Sequence, residues 1–187
     1  MAKFFESLSE AHQRFIAAQK VFFTATAPEA GRINLSPKGM DTFRCLDART
    51  VGYLDLTGSG NETAAHLRQN GRMTMMFCSF EGEPLILRLY GRGAVVGPTD
   101  GGWTTWRGHF PPLPGERQII LLHVETVQTS CGYGVPLYAF VEERSELRDW
   151  AERKGEAGIR RYWAQKNLRS IDGLPTGLVL DPAEPKG

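Results

Sequence analysis

A chain of 187 residues with a formal net charge of +1 has room for a sizeable core, and its interspersed charges give no field for steering onto a phosphate polymer or an anionic membrane surface. Nucleic acid and membrane are therefore excluded as expected partners: no run approaches the roughly 18 apolar residues of a membrane span, and MAKFFESLSEAH lacks the apolar stretch of a leader peptide. Three widely spaced cysteines (Cys45, Cys78, Cys131) and four scattered histidines give neither a disulfide framework nor a metal-ligand spacing, so a cytoplasmic protein with no metal site is expected.

In chain order, residues 9–20 place Ala11, Phe15 and Ile16 on one side of a modest amphipathic helix capped by Ser7 or Ser9. VFFTATAP (21–28) and RINLSPKG (32–39) read as a hairpin, with APEAGR supplying the turn. FRCLD (43–47) and VGYLDLT (51–57) continue the sheet, and a short helix follows from about Asn61 to Asn70, closed by Gly71. RMTMMFCSF (72–80) is apolar on both faces, as suits a central strand, and its Met73, Met75 and Met76 read as core filler. LILRLYGRGAVVG (85–97) is a long strand whose Gly91 and Gly93 mark a bulge or bend, with Ile86, Arg88, Tyr90 and Arg92 on one face. Residues 98–115 hold at most one short helix. RQIILLHVETVQTS (117–130) is the longest β-like run, and LYAFVEE reads as a last strand. Beyond it come two short helices split near Gly155 and a frayed tail, DPAEPKG. Six or more strands with only short helices between them predict a mainly β fold, an antiparallel barrel with peripheral helices. The whole of 1–187 reads as a single domain, with a helical extension at about 145–187.

The stretch that organises the chain is 51–71. A strand breaking into Thr57, Gly58, Ser59 and Gly60 and then opening a helix leaves several N–H groups unpaired at the positive end of the helix dipole, an arrangement that suits an anion. The alternative is that Ser59 and Glu62, with S-x-x-E spacing, form a capping box that satisfies the same donors without a ligand. Period 2 puts Arg32, Asn34, Ser36 and Lys38 on one face of the preceding hairpin strand, more polar groups than a cap requires. Asp55, polar inside a strand, is a candidate catalytic acid, though such a residue more often faces solvent or pairs with an arginine. Cys131 has no histidine beside it in sequence and reads as a buried structural thiol.

The succession RINLSPKG, YLDLTGSGNETAAHL, MTMMFCSF and LILRLYGRG, over roughly residues 8–130, resembles the FMN-binding split barrel of the pyridoxamine 5′-phosphate oxidase family. The resemblance implies a homodimer holding FMN at the subunit interface. It implies that Arg32, Ile33, Asn34, Leu35 and Ser36 run along the isoalloxazine ring with their backbone. Lys38 and the turn Thr57, Gly58, Ser59, Gly60, Asn61 and Thr63 then approach the phosphate, with Arg88 as a further cation. Three departures stand out: SGNET replaces the oxidase's adjacent Arg-Lys pair, Ile86 stands where the oxidase has a flavin-contacting glutamine, and SIDGLPTGLVLDPAEPKG has no match to its substrate-binding C-terminus. The chain thus resembles family members that share SCGYGVP and KNxxSIDGLP segments. The function implied is an FMN-dependent oxidoreductase with a small-molecule electron donor or acceptor, other than pyridoxamine phosphate oxidation. The alternative is a non-catalytic carrier of flavin, haem or a deazaflavin.

Overall fold

The computed structural model describes residues 2–180. Their elements run β1 (Lys3–Phe5), α1 (Glu10–Ala18), β2 (Phe22–Thr26), β3 (Asn34–Lys38), β4 (Phe43–Cys45), β5 (Thr50–Leu56), α2 (Glu62–Asn70), β6 (Arg72–Cys78), β7 (Ile86–Val96), α3 (Trp103–Arg107), β8 (Glu116–Ser130) and α4 (Glu146–Lys166). The strand pairings are antiparallel. They lie in the order β3-β2-β6-β7-β8-β5-β4, with β1 added beside β8.

Connectivity forces this sheet to curl. β3 and β4 end the row, yet only residues 39–42 join them. A flat row of seven strands would hold its ends about 29 Å apart, whereas the five steps from Lys38 to Phe43 span at most about 18 Å. The result is a half-barrel with peripheral helices, split along a seam between β3 on one side and β4 with β5 on the other. The joining turn is tight: Met40 and Asp41 both adopt left-handed backbone (φ 63 and 54), and the Thr42 hydroxyl donates to the Gly39 carbonyl at 2.7 Å.

Alternation along the strands fills the inside with Phe22, Tyr53, Met75, Phe77, Leu89 and Leu122. On the other face of β5 and β8, Leu54 and Ile119 are covered by Phe110, Trp103 and Trp106. β5 is therefore buried on both sides. The register of β7 on β8 shifts between Tyr90 and Gly91, and a Cβ at Gly91 would collide with the His123 carbonyl, which is why glycine stands there.

Several local expectations are corrected. LYAFVEE forms no strand; both edges of β8, which it follows, are already taken by β7 on one side and by β1 and β5 on the other. Cys131 is exposed rather than buried. The cap of α1 is Ser9, in a reciprocal box with His12. α4 breaks at Gly155 (φ 62, ψ 170) into the two halves that the sequence anticipates. The tail DPAEPKG lies outside the described residues. No helix of the described residues is long and apolar enough to cross a membrane, and no group of three or more His, Cys, Asp or Glu among them could hold a metal ion.

Candidate functional site

The seam is bridged by a buried ionic network centred on Asp55. This residue shares the inner face of β5 with Tyr53, and its carboxylate is 2% exposed. Opposite it, the pairing of β5 and β8 shifts register: Asp55 pairs with Gln118 and Leu56 with Glu116, so Arg117 is the extra residue of a β-bulge. A bulge re-aims a side chain that strict alternation would send to the other face. Arg117 and Gln118 can therefore both reach Asp55: Arg117 Nη2 donates at 2.7 Å, its Nε at 3.2 Å and Gln118 Nε2 at 2.9 Å. From across the seam, Lys38 Nζ of β3 donates to the other carboxylate oxygen at 3.0 Å. Burial by itself would push the Asp55 carboxyl up, but the Arg117 guanidinium and the Lys38 ammonium outweigh it and hold the group well below the usual carboxylate range. Burial likewise opposes the charge on Lys38, and Asp55 outweighs that, raising the lysine above its ordinary value. Three ionised groups thus carry one net positive charge between them, and the Glu62 carboxylate lining the same cleft balances it.

The turn leading out of β5 is clamped from behind. The Thr57 N–H and hydroxyl both donate to the Gly115 carbonyl, at 2.8 and 2.7 Å, and the hydroxyl accepts from Trp163 Nε1 at 2.8 Å. Asn167, at the end of α4, is fully buried. It accepts from Arg117 Nη1 at 2.8 Å and donates to the Gly58 carbonyl at 3.2 Å. Arg117 Nη1 also reaches the Gly60 carbonyl at 3.1 Å. The anticipated Ser59–Glu62 box does not form: the helix N-cap is Asn61, with no side-chain cap bond. The Glu62 carboxylate instead accepts the Ile171 N–H at 3.0 and 3.1 Å. α2 therefore has no side-chain cap, and its first residues lie at the cleft of the seam.

Asn34, Ser36, Lys38, Gly58, Ser59, Gly60, Asn61 and Thr63 line one cleft of about 300 Å³ together with Asp55, Glu62 and Arg117. Asn34 Nδ2 donates to Thr63 Oγ1 at 3.2 Å, and the Ser36 hydroxyl donates to Asn34 Oδ1 at 3.0 Å, so β3 and the helix start are joined across the cleft. Beneath them, the buried hydroxyls of Thr24, paired in register with Ser36, and of Tyr53, whose ring lies 5.4 Å under Lys38 Nζ, lack a well-formed partner.

Other sequence-predicted positions stand apart. Thr57 lies behind the turn. Ile33 and Leu35 point outward, 77% and 66% exposed. Arg32 sits at the head of β3, paired with Asp172 through its N–H at 2.7 Å and its guanidinium. Arg88 falls between the buried Leu87 and Leu89, so it faces the opposite side of the sheet from the cleft, toward Ser130. Sequence reasoning missed Arg117, Gln118, Trp163 and Asn167 as members of the site. The signals were an aspartate inside an apolar strand, which requires a partner, and the polar pair that opens β8.

The sequence profile described as "Pyridoxamine 5'-phosphate oxidase" matches residues 8–131. A curated relative, the "Pyridoxamine 5'-phosphate oxidase family protein ustO" of Aspergillus flavus, is 41% identical over 196 residues, covering 94% of this chain and 78% of that protein. Among solved structures, tagged HupZ of Group A Streptococcus superposes with a TM-score of 0.51 at 21% identity, over 64% of this chain and 91% of that one. A candidate pyridoxamine 5′-phosphate oxidase of Lactobacillus delbrueckii gives 0.50 at 17% identity, over 66% and 94%. These structural likenesses extend to the fold, a split barrel. Since the profile and the fungal relative both span most of the residues that build the seam, the chain belongs to the pyridoxamine 5′-phosphate oxidase family.

Proposed function

We propose that this protein binds FMN in the seam cleft and works as a cytoplasmic FMN-dependent oxidoreductase, a homodimer with the flavin at its interface. One observation carries the reading: the polar inner face of β3 (Asn34, Ser36, Lys38) meets the uncapped N-terminus of α2 in a single cleft. The residues present fit such a ligand. Lys38 brings an ammonium into the cleft, where it and Arg117 are balanced by Asp55 and Glu62, and it has N–H groups beyond the one given to Asp55. The α2 N–H groups and the Ser59 and Thr63 hydroxyls offer further donors to a phosphate. β3 is an edge strand, pairing only with β2, so one side of its backbone is free to lie along a ring system.

Bound FMN supplies the redox chemistry. The chain's own part is to orient it: Asp55 and Arg117 fix Lys38, Asn167 and Trp163 fix the turn, and the β3 edge sets the ring. Arg88 faces away from this cleft, so any part it plays lies across a subunit interface. The test is the absorbance spectrum of the freshly purified protein, followed by fluorescence titration with FMN and anaerobic addition of NADH or NADPH. A yellow protein reduced by either nucleotide is the expected result. A colourless protein that takes up no FMN refutes the reading. Flavin bound but never reduced makes it a carrier, and mass spectrometry of the heat-released ligand distinguishes FMN from a deazaflavin or haem.

A further inference from the structure

A second cleft lies between the glycine turn and α4. At Gly155 the backbone takes φ 62 and ψ 170, a combination open in practice to glycine alone. A Cβ there would touch nothing, so the glycine serves the break in α4 and no packing contact. An unbroken helix would hold residues 150 and 162 about 18 Å apart along its axis. The break instead sets Trp150 of the first half against Tyr162 of the second, ring centroids 5.2 Å apart and planes crossing at 78°. Neither ring is fully covered. With Glu146 and Leu147 they form one wall of a cleft of about 380 Å³, whose other wall is Thr57, Gly58 and Ser59. That second wall is held from behind, since Trp163 Nε1 donates to Thr57 Oγ1 and Asn167 Nδ2 to the Gly58 carbonyl.

The chemistry of the lining selects a cation. Two aromatic walls meet near a right angle, and the face of an aromatic ring is the negative pole of its quadrupole. Glu146 is the one lining residue that carries a charge, and the charge is negative. Its ion pair with Arg144, at 3.7 Å, is exposed and long, so it holds that carboxylate only weakly. The cation–ring contacts among the described residues fall on Phe140, Tyr53 and Phe110, which leaves the Trp150 and Tyr162 faces to a ligand. The rest of the lining narrows the class. Glu146 and the Ser59 hydroxyl are the lining side chains best able to accept a hydrogen bond beside two rings and Leu147, too few for a bare ammonium that must replace its water. A methylated ammonium has few or no N–H groups to satisfy, and its methyl groups carry the charge onto apolar and aromatic surface.

We infer that Trp150, Tyr162 and Glu146 form an aromatic cage for a methylated ammonium headgroup. The two rings supply the faces, Leu147 the apolar contact and Glu146 the counter-charge. None of these four residues lines the seam cleft, so this site stands or falls independently of the flavin.

The experiment is a calorimetric titration of the full-length protein, at matched ionic strength, with choline as the probe and with its uncharged tert-butyl analogue, in which carbon replaces the nitrogen. Choline should bind, and the analogue should bind about two- to thirtyfold more weakly, the range of one cation–π contact. Glu146→Gln, a change at an exposed side chain, should weaken choline binding and leave the analogue unaffected. Trp150→Leu should weaken choline by a similar two- to thirtyfold, its melting temperature being recorded. In the unaltered protein the Trp150 indole N–H resonance should move as choline is added, an outcome that does not depend on any variant folding. Equal affinity for choline and the analogue overturns the inference, because the cleft would then be apolar space indifferent to charge. The absence of saturable choline binding overturns it as well. So does choline binding that leaves the Trp150 resonance in place or survives both substitutions unchanged, which would put the cation elsewhere.

Discussion

At the scale of residues, Asp55 decides how the site behaves. Its folded pKa is depressed, so the stability it contributes is fully present above the unfolded value, about 4, and is lost as pH falls from there toward the folded value. Melting temperature should therefore drop as pH is lowered below about 4. Asp55→Asn should melt lower at neutral pH and lose most of that acid dependence; an unchanged acid limb would assign it to other carboxylates. Lys38→Ala tests the phosphate. A charge-assisted hydrogen bond contributes about 1.5–3 kcal/mol, so FMN should bind roughly ten- to a hundredfold more weakly while riboflavin, which has no phosphate, is nearly unaffected. Equal loss for both ligands would assign Lys38 to the Asp55 network alone. Thr63→Val should cost less, about 1 kcal/mol of FMN binding, because one neutral hydrogen bond goes and the helix dipole stays.

At the scale of elements, the strands that build the barrel were legible because alternation and β-branched runs are local signals, and the glycine turn was legible because a strand feeding a helix must pass through one. The bulge was not. Period 2 puts Arg117 and Gln118 on opposite faces, and only the register against β5 turns both toward Asp55. The Ser59–Glu62 cap was a sound local rule overridden by a distant backbone group, the Ile171 N–H, 109 residues away. What joins these elements is Asn167, which touches the bulge and the turn at once. Asn167→Ala leaves buried partners unsatisfied and should cost about 1–3 kcal/mol in urea unfolding, with FMN affinity falling alongside; a neutral result would mean the C-terminal segment rests on the turn without supporting it. The same turn sets substrate expectations. With Glu62 at its lip and no basic pair, steady-state oxidation of pyridoxamine phosphate should stay well below about 1 per second, and peroxide formed at or above that rate would show that the substitutions do not matter.

At the scale of the whole molecule, the fungal relative matches 94% of the 187 residues, which leaves only about 11 unmatched; the likeness therefore runs well past residue 131, where the family profile ends, and into the segment that supplies Trp163 and Asn167. Among the described residues a single copy exposes large apolar side chains at several places, two of which bear on a dimer. Ile33 and Leu35 stand out from the edge strand β3, and along 133–141 Tyr133, Leu137, Tyr138 and Val141 are 65–87% exposed. Part of that segment is held in place, Tyr138 stacking on Phe80 and Lys20 Nζ lying 5.4 Å from the Phe140 ring, so its apolar side chains are presented on a fixed path. Apolar side chains held exposed in this way suit an interaction face, and a self-complementary pairing of two copies is the commonest way to cover one. Light scattering at micromolar concentration should give about twice the 20.8 kDa of one chain, and a one-chain mass would count decisively against the dimer. Leu35→Glu then locates the interface. If β3 lies within it, a buried unpaired carboxylate should drive the protein to monomer, and FMN affinity should fall in the same titration because the ring along β3 loses its cover. A dimer that survives Leu35→Glu but not Leu137→Glu would move the interface to the 133–141 segment and leave the β3 edge open to solvent, with a flavin held by one chain alone.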